Sequence, residues 1–219
     1  MKIKFHIPES TADISLKDYQ KYLSISEKEE DNTDFLNLKS VEIFCGLKIN
    51  DLRAVHAKDY EEILNDLSNA FKAKTPFKQH FTMDGVKFGF IPDLENITLG
   101  EYIDIETYLQ DSSTLHKAMA VLYRPVTFEK NDMYLIEKYE TADKYSTQML
   151  NAPLDVYLGS QVFFYNLGKE LVKHILLYSD NQVVGDLELM RILEENGVGT
   201  VAFMHLLEGN FGDSMLSLN

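Results

Sequence analysis

Apolar and polar residues alternate in two different rhythms along the chain. Residues 2 to 7 run Lys, Ile, Lys, Phe, His, Ile, a period of two that predicts a short strand ended by Pro8. Helical spacing then takes over. Ser15 is placed to cap a helix carrying Leu16, Tyr19, Tyr22 and Leu23. The acidic stretch Glu27 to Asn32 reads as its frayed end or an exposed loop. Asn32 or Thr33 caps the next helix, which carries Phe35, Leu36, Leu38, Val41, Ile43 and Phe44 and closes at Cys45-Gly46. A short segment spans Asn50 to Val55. Asp59 to Lys74 is amphipathic, with Ile63, Leu64, Leu67 and Phe71 on one face and Pro76 as its stop.

The clearest turn signal lies at Asp84-Gly85. Between His80–Met83 and Val86–Phe90 it predicts a hairpin with a two-residue turn of the primed type. A lone hairpin is marginal in water, so residues 2 to 7 are the expected third strand. Beyond Pro92 the pattern is helical. Thr98 caps Leu99–Leu109 with Glu101 completing a capping box, and Ser113 caps 114–123, which Arg124-Pro125 ends. Residues 126–136 lack a clear period and read as a loop with a short turn. Helices follow over 141–150 and from Pro153 to about Tyr178, the latter with a stripe of Phe164, Leu167, Leu171, Ile175 and Tyr178. A helical pair over 184–195 and 198–207 closes the pattern, and 209–219 is a Gly-, Asn- and Ser-rich tail expected to be mobile. The expected fold is mainly α with a small antiparallel sheet, α+β in class. It forms one compact domain over 1–219, with helices and sheet in 1–97 and a bundle-like half over 98–208. No internal repeat interrupts it.

Composition narrows the function by exclusion. The 219 residues are 45% hydrophobic and 26% charged, ordinary for a globular chain. Acidic residues outnumber basic ones 35 to 21, for a net charge of −14 and a pI near 4.8. That argues against general nucleic-acid binding and against adhesion to anionic membranes. The acidity is uneven: 13 basic and 17 acidic residues in 1–97, against 8 and 18 in 98–219, or net −4 and −10. The longest charge-free run in the apolar region, Val156–Gly168, is 13 residues, well short of the about 20 that a membrane span needs. The first residues show no apolar stretch of signal-peptide kind.

Candidate chemistry is sparse. A single cysteine, Cys45, excludes an intrachain disulfide and multi-cysteine metal sites, and its apolar neighbours suggest an inert buried thiol. His6, His56, His80, His116, His174 and His205 show no metal-ligand spacing. Gly197-Val198-Gly199 lacks the following Lys-Ser or Lys-Thr of a phosphate loop and reads as a helix end. The pair over 186–208 has helix-turn-helix length but offers only His205 as a cation for base reading. Acids such as Asp93, Glu95, Glu101, Asp104 and Glu106 give no basis for choosing a catalytic pair. The expectation is a protein that is not an enzyme and takes neither cofactor nor metal. Its 12 tyrosines, 13 phenylalanines and 8 methionines suit either a core or an interface.

Three stretches carry a resemblance. They are Ser40–Leu47, then Phe90–Asp104 with His116–Pro125, then Pro153–Gly159 with Phe163–Leu171. In that order, over most of residues 10–178, they resemble a family of small virion structural proteins of the neck and tail of crAss-like tailed bacteriophages. The resemblance implies a structural subunit in a ring of about a dozen copies. Its neighbours would be the portal or other tail and neck proteins. Its place would be the virion, or the host cytoplasm during assembly. The motifs are fold signatures, so no site residues carry over.

On that reading DNA passes nearby without specific binding, and acidic walls would keep the duplex from sticking. Candidate channel-facing acids are Glu101, Asp104, Glu188 and Glu194. The hairpin, through Phe81, Asp84, Gly85 and Phe88, is the candidate subunit contact, adding its edge to a neighbour's sheet. The competing function is an assembly chaperone for tail or baseplate that is absent from the finished particle.

Overall fold

The computed structural model describes residues 5–29, 32–94, 96–131 and 133–178. Twelve regular elements follow one another through these residues: α1 (Leu16–Ser26), α2 (Thr33–Phe44), α3 (Ile49–Leu52), α4 (Ala57–Lys72), β1 (His80–Met83), β2 (Val86–Phe90), α5 (Leu99–Leu109), α6 (Leu115–Leu122), β3 (Tyr123–Lys130), β4 (Met133–Ile136), α7 (Asp143–Met149) and α8 (Leu154–Tyr178). The fold is mainly α with one four-stranded antiparallel sheet in the order β1-β2-β3-β4. The helical pair expected over 184–207 and the tail over 209–219 lie outside the described residues.

Most local signals act as the sequence suggests; the exception is Ser113, which lies inside a 3-10 turn, Ser112–Thr114, capped by Asp111, while α6 starts at Leu115 without a side-chain cap. The Ser15 hydroxyl accepts from the Asp18 N–H at 3.1 Å and the Asn32 side chain from the Phe35 N–H at 3.2 Å, each meeting an otherwise unpaired donor of a first helical turn. Gly46 leaves α2 with φ +70°, the left-handed exit that glycine makes without strain. Asp84 and Gly85 both take positive φ, 52° and 77°, the turn expected between β1 and β2.

The sheet departs from expectation. Residues 5–7 are not in a strand, and the His6 N–H donates to the Cys45 carbonyl after α2 instead. The third strand is β3, with Phe88 opposite Pro125, Gly89 opposite Arg124 and Phe90 opposite Tyr123. The expected loop over 126–136 is in fact most of a second hairpin, β3–β4. Its alternation is hidden by a bulge. Val126 faces Ile136 and Phe128 faces Leu135, so Thr127 is the extra residue and the inward set switches sides there. The helix expected over 114–123 ends at Leu122, and β3 begins at the next residue.

That junction organises the core. Leu115, Ala118, Met119, Ala120, Val121 and Leu122 of α6 are all buried, and of its eight residues His116 and Lys117 alone are partly exposed. Tyr123 continues them into the sheet, fully buried, with its hydroxyl donating to the Lys78 carbonyl at 2.7 Å. One apolar cluster runs from Ile14 to Leu158 and joins α1, α6, α8 and the sheet. Its aromatic part centres on Phe90, which lies within 6 Å of Phe77, Tyr123, Phe163 and Phe164. Because β2 pairs with β3 across the Pro92 position, the two halves of the chain share this sheet and core. The starts of α1 and α8 are tied by backbone bonds, Leu16 N–H to Ala152 at 2.9 Å and Leu154 N–H to Ile14 at 2.8 Å.

Two glycines mark close approaches. A Cβ on Gly89 would lie 2.7 Å from the Tyr134 ring, which crosses β2 so that its hydroxyl donates to the Phe90 carbonyl. A Cβ on Gly159 would lie 2.6 Å from the Pro76 carbonyl oxygen, and backbone cannot rotate out of the way as a side chain can. Gly159→Ala is expected to lower stability by about 1–3 kcal/mol, read as a lower urea midpoint at unchanged m-value. An unaltered midpoint would show that α8 does not pack on the 73–79 segment as described.

Candidate functional site

The polar centre of the molecule is built on the first turn of α5. The Thr98 hydroxyl accepts from the Glu101 N–H at 3.2 Å, and the Glu101 carboxylate accepts in return from the Thr98 N–H at 2.7 Å. The Thr98 hydroxyl also donates to the same carboxylate oxygen, Oε2, at 2.7 Å. The other oxygen, Oε1, receives Nη2 of Arg124 at 2.5 Å. Both partners are 5% exposed. Tyr139 lies under the guanidinium, its ring centre 5.4 Å from Arg124 Cζ, and its hydroxyl donates to Asp104.

Burial by itself pushes the Glu101 carboxyl up. The Thr98 donors and the Arg124 charge outweigh it and hold the group below the ordinary glutamate range. The arrangement joins α5 to β3 and to the segment after β4. Every acid in it is already engaged, so it does the work of a clamp and leaves no free base.

This relocates the predicted site residues. Glu101 is not a channel-facing acid, because its capping geometry turns the carboxylate back toward Arg124. Asp104 is partly buried and bound by Tyr139. Glu188 and Glu194 lie outside the described residues. Of the net −10 carried by 98–219, −6 falls in 179–219, where seven acids meet one arginine.

The predicted contact hairpin is also corrected in part. Phe81 and Phe88 stack with ring centres 5.4 Å apart and both point into the core, 9% and 1% exposed. Burying them is what holds the hairpin on the protein. Of the four predicted contact residues, Asp84 and Gly85 in the turn are at the surface.

No catalytic or metal constellation replaces them among the described residues. No group of three His, Cys, Asp or Glu is placed to hold an ion. Cys45 is 3% exposed, and burial pushes its thiol up to about 11, away from reactivity. His6 and His56 are exposed. His80 and His116 are partly buried, and burial favours their neutral forms. Among the described residues no helix is long and apolar enough to cross a membrane.

Among the described residues the surface groups exposed apolar side chains into two faces. On α5, Leu99 is 74% exposed, Tyr102 38% and Ile103 49%, at spacings that share one side of the helix. On the β3–β4 hairpin, Phe128 is 51% exposed, Met133 70% and Leu135 59%. The bulge at Thr127 makes this second face. It turns Phe128 outward beside Leu135, while Tyr134 and Ile136 pack inward over Gly89. Leu99, Tyr102 and Ile103 were visible in the sequence as helix residues but not as exposed ones. Phe128, Met133 and Leu135 were hidden by the broken alternation, and Asn131-Asp132 was the one turn signal that pointed to them.

No protein-family model, curated protein or solved structure matches the chain.

Two measurements test the site. Replacing Arg124 with Met leaves Glu101 buried without its cation. This should cost about 3–5 kcal/mol in urea unfolding, while the double change Arg124→Met, Glu101→Gln should cost less. The folded Glu101 carboxyl lies below its unfolded value. Its stabilisation is therefore complete above about pH 4.3 and disappears as pH falls through the folded value. Glu101→Gln should accordingly flatten the acid limb of the stability curve, and an unchanged limb would remove Glu101 from the clamp. Separately, native Cys45 should react with a thiol reagent far more slowly than in denaturant, and equal rates would contradict its burial.

Proposed function

We propose that the chain is a structural subunit of a tailed-phage virion, built into an oligomeric ring of the neck or tail. The observation that carries it is the pair of exposed apolar faces, one on α5 and one on β3–β4. A subunit of a closed ring meets its two neighbours through different surfaces, so it needs two unlike faces. The resemblance of residues 10–178 to virion proteins of crAss-like phages supports the setting. The three stretches that carry it supply buried scaffold: Val41, Ile43, Phe44 and Leu47; Phe90, Ile91 and the α6–β3 run; Leu154 to Leu158. Residues so placed specify a fold rather than a reaction.

The acidic-conduit part of the proposal cannot rest on Glu101. It rests on the net −6 of residues 179–219. There repulsion of phosphate would let duplex DNA pass without adhering.

Quantitative mass spectrometry of purified particles tests the proposal. The subunit should be present in fixed ratio to the portal protein, in a multiple set by the ring. Its presence in infected-cell lysate together with absence from finished particles would overturn the proposal in favour of an assembly chaperone.

A further inference from the structure

The two apolar faces differ in the charge that each leaves free. Lys130 lies opposite Met133 in the β3–β4 register, on the same side as Phe128 and Leu135. The hairpin's other described charge, Glu129, is on the opposite side and is bound by Lys87 at 2.6 Å. Among the described residues Lys130 has no ion-pair partner. On α5 the position is mirrored. Glu101 is taken by Arg124 and Asp104 by Tyr139, which leaves Glu106. Glu106 stands three residues beyond Ile103 and four beyond Tyr102, so it continues the exposed apolar stripe. It too has no ion-pair partner among the described residues.

Each face is therefore three large apolar side chains with one charge beside them that is unpaired among the described residues, and the two charges are opposite. A hairpin face set on a second hairpin face offers Lys130 no unengaged acid among the described residues. An α5 face set on a second α5 face offers Glu106 no base. Only the cross pairing gives both charges a partner and both apolar triplets cover, so complementarity selects register as well as affinity.

We infer that the β3–β4 face of one copy docks on the α5 face of a second copy, with Phe128, Met133 and Leu135 against Leu99, Tyr102 and Ile103, and Lys130 beside Glu106. The contact is head-to-tail, so it propagates from copy to copy until it closes. It names the neighbour for the ring reading above and rests on that reading only for its setting.

Disulfide trapping on the full chain tests it. Cys45 is buried, so introduced cysteines report alone. Leu135→Cys and Ile103→Cys variants, each folded by circular dichroism, are oxidised separately and as a mixture. The mixture should give a linked dimer that neither variant gives alone, and a chain carrying both changes should give a ladder of multimers. Dimers from Leu135→Cys alone, or no linked product from the mixture, would overturn the contact.

Charge reversal supplies an independent readout. Lys130→Glu should weaken self-association at least about tenfold in sedimentation, and Glu106→Lys mixed with it should restore association. Equal association of the single variant and the unaltered chain would also overturn the contact. Failure of trapping with the subunit present in particles removes only this contact, and trapping with the subunit absent from particles removes only the virion role.

Discussion

The arrangement of this protein turns on a buried positive charge. Arg124 brings a guanidinium charge into the interior, where it is 5% exposed. A guanidinium in that setting needs a counter-charge held in place, since an uncompensated one is strongly destabilising. Glu101 supplies it, and Glu101 is itself fixed because it completes the capping box of α5. One carboxylate thus starts a helix and neutralises a strand. Its two roles use different oxygens, so neither weakens the other. Through the backbone Arg124 also sits opposite Gly89 of β2, and α6 precedes it with only Tyr123 between. Sheet, α5 and α6 are therefore set against each other at one point. The outward side of α5 follows from that constraint. With Glu101 turned toward Arg124, the opposite side of the first turn, Leu99, must face solvent.

What was legible in the sequence was local. Ser15, Asn32 and the Thr98–Glu101 box each satisfy donors within three residues, and Asp84-Gly85 needs only its own backbone freedom. Such signals survive without knowledge of the rest of the chain. The misread segments depend on distant partners. Tyr123 and Arg124 follow the apolar run Ala118–Leu122, and nothing in their neighbourhood says that β2 waits upstream, with Phe90 33 residues before Tyr123 and Gly89 35 before Arg124. The bulge at Thr127 removes the period of two from the strand where it was most needed. Glu101 was legible as a cap, but its burial was not, because the cation that makes burial tolerable lies 23 positions away. Position numbers along a chain say little about such pairs until the topology is known.

The aromatic richness resolves unevenly. Phe77, Phe81, Phe88, Phe90, Phe163, Phe164 and Tyr123 are largely spent on one another across the sheet and α8, and Tyr134 packs on His80. Tyr19 and Tyr157 meet inside the α1–α8 contact. Among the described residues only Phe5, Tyr102 and Phe128 are large exposed aromatics. Composition alone had allowed core and interface equally. Among the described residues the packing gives most of the rings to the core and leaves Tyr102 beside Leu99 and Ile103 and Phe128 beside Met133 and Leu135.

Faces of this size carry a physical consequence for any assembly built on them. Two triplets of partly exposed side chains bury too little surface for a strong isolated pair, since stable interfaces usually cover about 1,200–2,000 Å². The net charge of −14 adds a long-range repulsion between copies. A single contact should then be weak, and a closed ring far stronger, because closure adds one more contact without a further loss of translational freedom. Repulsion among exposed acids is screened by salt over about 8–10 Å, whereas apolar burial is not. Association of such a chain is expected to strengthen as ionic strength rises to physiological values. A protein held together mainly by opposite surface charges would do the reverse. In an assembly of that kind the acidity would keep stray copies apart, and the apolar faces would act only where complementary surfaces meet in register.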